Sequence, residues 1–145
     1  KGQNLDTGAS VIHAAPYTSA NISTRTISKA GGKATYRSAV KVTPNAHHAK
    51  CSVNCESLML DDISRSDTLP VMDIQGDETD IGHEATIGRI SEEAVFYLMS
   101  RGISEDEARA MIVRGFVEPI AKELPLEYAV EMNNLINIEL EGTMG

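Results

Sequence analysis

Six short segments rich in Val, Ile and Thr fill the chain up to about residue 90, and the hydrophobic period then changes for the remainder. The segments read "SVIHAA", "ANISTRTIS", "ATYRSAVKVT", "AKCSVNCESLML", "LPVMDIQG" and "DIGHEATIGRI". Many alternate apolar and polar residues, as a strand with one buried face does. Turn formers separate them, in "KAGGK", "TPNAHH", "DDISRSD" and "QGDET",. No linker is a clean Asn-Gly or Asp-Gly pair between matched strands, so hairpins are not specified. Three architectures stay open: a sandwich, a barrel, and a right-handed parallel β-helix whose stacked coils need no wide core. Trp is absent and aromatic residues make up only 4%. The core must therefore come from Val, Ile, Leu, Met and Ala, which suits a narrow, layered interior.

After Ile90 the pattern becomes helical. Ser91 followed by Glu92 and Glu93 caps and charges a helix start, with Ala94, Val95, Leu98 and Met99 on one face,. Gly102 suits a left-handed C-cap. "SEDE", Ser104 to Glu107, is a capping box opening a second helix with an apolar stripe of Ala108, Met111, Ile112, Phe116 and Ile120,. Pro119 is expected to bend or shorten its last turn. A third helix enters at Pro125 and ends before Gly142. The predicted organisation is mainly β with α, residues 1–90 forming a strand domain and residues 91–145 a three-helix domain.

Charge is unevenly spread. Residues 1–60 carry seven Lys or Arg against Asp6 and Glu56, whereas residues 61–145 carry six against nineteen acidic residues. The acidic helical end argues against nucleic acid, which needs clustered cations, and favours either a protein partner with a basic face or simple solvation. No apolar run is long enough to span a bilayer and no signal peptide is visible, so a cytoplasmic protein is expected. The first residue is Lys rather than Met, as in a piece of a longer chain.

The residues able to carry chemistry are few. Cys51 and Cys55 make no disulfide framework, and in a strand residues four apart lie about 13 Å from each other. Any co-ligands must come from other strands or another chain. "HEATI" lacks the second histidine of the zinc-protease motif. His83 and Glu84, as strand neighbours, point to opposite faces unless a bulge at Gly82 intervenes. By spacing alone they read as a hydrogen-bonded structural pair. His47 and His48 follow Pro44-Asn45 and belong on an exposed turn. His13 reads as a satisfied strand histidine, and Gly31-Gly32 as a turn. No triad order or paired-carboxylate spacing supports hydrolysis. A polysaccharide-acting β-helix enzyme would need a carboxylate cluster and an export signal, and neither is seen.

Taken together, "CESLMLDDISRSDTLP", "IGHEATIGRISEEAVFYLMSRGISEDEARAMIVRGFVEPIAKELPLEYAVE" and the closing "EGTMG" resemble the carboxy-terminal part of the SufB family. These are the scaffold subunits of the Suf iron-sulfur cluster assembly machinery. The likeness runs from about Ile12 to the last residue and is close to continuous after Cys55. The related SufD family shares the helical "FYLMSRGISEDEA" style but normally lacks the "HEAT" tetrad, so Glu84 favours SufB. A SufD-like structural partner without a cluster-binding role is the alternative.

The resemblance implies a partial right-handed parallel β-helix followed by a helical C-terminal domain. It implies a scaffold rather than an enzyme, which pairs with SufD, docks the ATPase SufC, and receives sulfur from a cysteine desulfurase through a sulfur-transfer protein. The iron-sulfur cluster is then transient, and none is expected to stay tightly bound to this piece. Cys55 matches the cysteine of the family's "C-[DE]-S/A-L" motif, in cluster assembly or sulfur acceptance. His83 and Glu84 match its "HEAT" motif, as iron or cluster ligands or a proton shuttle. Gly82 departs from members that carry a carboxylate there, and Cys51 has no assignable role. Ser100, Arg101 and Gly102, with Arg114, Phe116 and Glu118, are the expected SufC contacts. An open coil edge also predicts a homodimer of this piece.

Overall fold

The computed structural model describes residues 1–141, with side chains through Ile138. Gly142, read as the stop of the third helix, and the rest of the closing "EGTMG" beyond Glu141 lie outside the described residues. The chain divides into two compact units, Lys1–Arg89 and a second beginning at Ile90.

The first unit holds six strands: β1 (Asn4–His13), β2 (Ser19–Ser28), β3 (Lys33–Val42), β4 (Lys50–Met59), β5 (Arg65–Ile74) and β6 (Asp80–Arg89). Consecutive strands belong to different sheets. One sheet has the order β1-β3-β5 and the other β2-β4-β6, and every pairing is parallel. The registers Asn4↔Lys33, Ser19↔Lys50, Lys33↔Arg65 and Lys50↔Asp80 show one structural repeat of roughly 30 residues. The six strand-like segments are all present, and no strand pairs with its neighbour in sequence, so hairpins are absent among the described residues. Among the described residues no closed barrel forms.

The alternation read from the sequence becomes burial. In β3 and β4 every second residue is buried, and the buried set packs between the sheets as Tyr36, Val40, Val42, Cys51, Val53 and Cys55 with Ala46 and Ala49. These are mostly small or β-branched side chains, as a core this narrow demands. The outer faces carry ion pairs across strands: Arg37 with Asp6 at 2.9 Å, Lys33 with Asp67 at 2.7 Å and Arg25 with Glu56 at 2.9 Å. The exposed pairs of Arg37 and Lys33 add little stability but favour the observed neighbours, whereas Arg25 is largely covered,.

β5 starts at Arg65, inside a stretch read as a turn, and Pro70 sits within it. The proline is tolerated because, among the described strands, β5 has a partner only in β3 and is an edge of its sheet,. Gly8 in β1 is needed for a different reason. A Cβ there would run into the Arg37 carbonyl oxygen of β3. Gly8→Ala is therefore expected to cost about 1–3 kcal/mol, read as a lower urea midpoint. An unchanged midpoint would mean that β1 moves away from β3 freely.

The turns have their own chemistry. Gly31 and Ala30 both adopt positive φ, which confirms the Gly31-Gly32 turn. Asp61 holds this turn against the next, accepting hydrogen bonds from the Ala30, Ile63 and Ser64 amides. Slight burial opposes ionisation, but the hydrogen bonds from Ser64, Ala30 and Ile63 prevail and keep the carboxyl below its usual range. A depressed folded-state pKa stabilises the fold above the unfolded value of about 3.9 and loses that stabilisation as pH falls through the folded value. Asp61→Asn is expected to flatten the acid limb of the stability curve below about pH 4; an identical acid limb in the variant would contradict this.

The second unit holds α1 (Glu92–Met99), α2 (Glu105–Ala121) and α3 (Leu126–Glu141). Ser91 and Ser104 cap α1 and α2 by accepting from the Ala94 and Glu107 amides. Gly102, at φ +87°, closes α1 with hydrogen bonds from Gly102 N to Met99 O and Ile103 N to Leu98 O, the Schellman arrangement. Only half of the expected capping box forms, because the Glu107 carboxylate pairs with Arg114. The buried side of α2 is Ala108, Val113 and Ala121, while Met111 is exposed. The predicted stripe is thus rotated toward Val113. α2 continues only two residues past Pro119, in keeping with its expected effect on the last turn.

Candidate functional site

The β4–β6 pairing creates the site. In register, Val53 lies beside His83, Asn54 beside Glu84 and Cys55 beside Ala85. Side chains of one face recur every second residue, so Cys55 and His83 are diagonal neighbours on the inner face. Their contact is direct: Cys55 Sγ lies 3.7 Å from His83 Nε2 across 28 residues of sequence. Small residues flank the thiol in its row, Thr24 on β2 and Ala85 on β6.

The pleat sends Glu84 to the other side. There it lines a groove of about 320 Å³ with Ser23, Asn54, Glu56 and Thr86, bordered also by Cys55. Arg25 donates to Glu56 at 3.0 Å, so the two carboxylates of this groove differ: Glu56 is held by a cation of β2, and Glu84 is exposed. Of the three expected site residues, the fold brings Cys55 and His83 together and leaves Glu84 on the outer face. Among the described residues no group of three or more His, Cys, Asp or Glu is placed to hold a metal ion.

Cys55 is only 2% exposed. Burial pushes its thiol pKa up, and does the same to Cys51. A thiol of this kind stays protonated at neutral pH and is a poor nucleophile unless a base takes its proton. His83 Nε2 is the ring nitrogen that lies against this thiol. Tyr36, on the facing sheet, packs in the same cluster. Its phenol pKa is raised first by burial and then by charge on Cys55. Nothing in the sequence singled out Tyr36, because the facing of two strands from different sheets leaves no local signal. Asn54 and Glu56 could have been noticed as the outward neighbours of Cys55.

The other candidates fall elsewhere. Cys51 is buried beside Ala20 and Ile81. His48 lies in the predicted turn, stacks on Tyr17 at 4.8 Å and pairs with Glu78 at 3.0 Å, next to an exposed His47. His13 is only half satisfied: Nδ1 meets Thr18 Oγ1 at 2.7 Å, whereas Nε2 is buried without a hydrogen-bond partner among the described residues. In the helical unit Ser100, Arg101 and Gly102 form an exposed turn. Arg101 lies over Tyr97, 4.9 Å from the ring centroid. Arg114 is tied to Glu107 and Asn137, Glu118 pairs with Lys122 at 2.8 Å, and Phe116 is partly buried. No described helix is long and apolar enough to cross a membrane.

Comparison with known proteins bears on this arrangement. The family model described as "SUF system FeS cluster assembly, SufBD core domain" matches residues 1–116. An iron-sulfur cluster assembly SufBD family protein of Mycobacterium bovis is 54% identical over 143 residues, 99% of this chain and 17% of the relative. A SufBD family protein of Mycobacterium leprae is 54% identical over the whole chain, again 17% of the relative. The iron-sulfur cluster assembly protein SufB of Bacillus subtilis is 53% identical over the whole chain and 31% of its own length. The chain thus spans less than a third of the length of these relatives.

Proposed function

The chain belongs to the SufBD family of the SUF iron-sulfur cluster assembly system, and from that premise we propose that it is the part of a SufB-type scaffold where sulfur and iron meet. The observation that carries this reading is the contact of Cys55 with His83. It supplies a soft sulfur and an imidazole nitrogen side by side, a donor pair suited to iron and to iron-sulfur clusters.

The chemistry follows from the pair. His83 takes the Cys55 proton. The thiolate attacks the outer sulfur of a persulfide carried by a sulfur-transfer protein downstream of a cysteine desulfurase; the donor leaves as a thiolate and Cys55 becomes the persulfide. The proton on His83 passes to the departing donor thiolate, and the sulfur with the neutral imidazole would then hold ferrous iron on the inner face, while Glu84 lines the groove on the outer face. Two donors do not complete an iron site, so the remaining ligands come from outside the described residues. The scaffold has no turnover of its own.

In the same reading the two parallel sheets are faces of a right-handed β-helix, the hand that parallel crossovers prefer. β5 exposes Leu69, Val71, Met72 and Ile74 and offers SufD, or a second copy of this piece, an apolar edge. The exposed turn at Ser100, Arg101 and Gly102, with Arg114, Phe116 and Glu118 on α2, docks SufC in the cytoplasm. The test is reconstitution: the full-length chain with its partner subunits, given ferrous iron and persulfide, should acquire iron and acid-labile sulfide together. Failure to acquire both would sink the scaffold reading.

A further inference from the structure

The groove on the outer face of β2, β4 and β6 holds two carboxylates of unequal freedom. In register, Ser23, Asn54 and Glu84 form one row and Arg25, Glu56 and Thr86 the next. Glu56 and Glu84 are therefore diagonal neighbours, within reach of each other's long side chains. Both line the same groove of about 320 Å³, and Ser23, Asn54 and Thr86 add oxygens to it. Carboxylates with amide and hydroxyl oxygens are the ligands that hard divalent cations take. Arg25 alters that set. Its Nη2 lies 3.0 Å from one oxygen of Glu56 and 2.9 Å from the other, which commits both oxygens to a cation, while Glu84 stays exposed. The Arg25 side chain is 15% exposed, against 60% for Arg37 and 44% for Lys33 in two other cross-strand pairs. A charge so well covered is screened less by water and salt than a surface one, and it stands one row from Glu84.

We propose that Arg25 is a specificity-determining residue: by occupying Glu56 and adding its own positive charge, it keeps the outer groove from capturing hard divalent cations. Specificity of this kind comes from an element that disfavours the wrong site as much as from ligands that favour the right one. Cys55 and His83 make their contact on the inner face, so iron caught between two outer carboxylates would be held on the wrong side of β4 and β6. The role in directing iron rests on the scaffold reading above. The metal affinity of the groove does not.

The test measures Mn²⁺ binding to the full-length chain by electron paramagnetic resonance, without sulfur donor or partner subunits. Mn²⁺ stands next to ferrous iron in binding strength and prefers carboxylate oxygen. Arg25→Met keeps much of the side-chain volume and removes the charge. It should gain a site that binds Mn²⁺ at least about tenfold more tightly than the wild-type groove does, and adding Glu56→Gln should abolish the gain. A pair that serves structure alone would lower the urea midpoint without this gain. No gain, or a gain that survives Glu56→Gln, would overturn the proposal. If Arg25→Met does not fold, Glu56→Gln in the otherwise unaltered chain gives a second reading. It should retain every Mn²⁺ site of the wild type, and loss of one would show that the groove captures the cation with Arg25 in place, which equally overturns the proposal. Because neither measurement forms a cluster, failure here leaves the reconstitution result standing, and failure of reconstitution leaves this one standing.

Discussion

Cys55→Ala, in the full-length chain with its partner subunits, is expected to lower the iron and acid-labile sulfide acquired on reconstitution by about tenfold or more. The substitution removes the only sulfur in contact with His83 among the described residues, while alanine fits the vacated space with little strain. His83→Gln should fall in the same direction by a smaller amount, since the thiol keeps its place but loses its base. The double variant should be no worse than Cys55→Ala alone, because residues acting as one unit are not additive. Cys51→Ala is the internal comparison, removing a second buried thiol for which no imidazole contact is seen among the described residues. Equal cluster yield from Cys55→Ala and wild type would reject the assigned role. A larger loss from Cys51→Ala would move the site four residues along β4.

Val53→Asp tests the scaffold that positions the pair. Val53 is 0% exposed and lies between Ile22 and His83 in register. A carboxylate there meets the His83 imidazole beside it, itself already in contact with Cys55, and a buried charge so weakly compensated should cost about 3–5 kcal/mol. Small domains are stabilised by only about 5–15 kcal/mol, so a large part of the fold's stability would be lost at neutral pH. The sign with pH is definite. Burial raises the folded-state pKa of the introduced Asp above its unfolded value, so the deficit is greatest at high pH and shrinks as pH falls and the group is protonated. Urea denaturation at several pH values reads both effects. A midpoint equal to wild type at neutral pH would show that the interior at Val53 admits water.

The strand segments were legible because their chemistry is local. Alternation, β-branched residues and turn formers are properties of adjacent residues, and so are Ser91, Ser104 and Gly102 at the helix ends. The start of β5 was missed because the turn formers of "DDISRSD" hide Arg65, Ser66 and Asp67, whose extended backbone is fixed by pairing with β3 rather than by their own residue types,. The α2 stripe was misplaced for a related reason: Met111 and Val113 are both apolar, and only packing decides which of them is covered.

The site divides the same way. From the pleat alone, His83 and Glu84 must face opposite sides, and the structure keeps them so. The residue types at 55 and 83, and the rule that strand neighbours diverge, were therefore determined by the sequence itself. Which partner each would meet was not. Register between β4 and β6 decided that Cys55 touches His83, because parallel pairing joins residues about 30 positions apart and a shift of one residue would turn one of them outward. The stacking of two sheets decided that Tyr36 shares the interior with them, through a packing preference that no local stretch of sequence encodes.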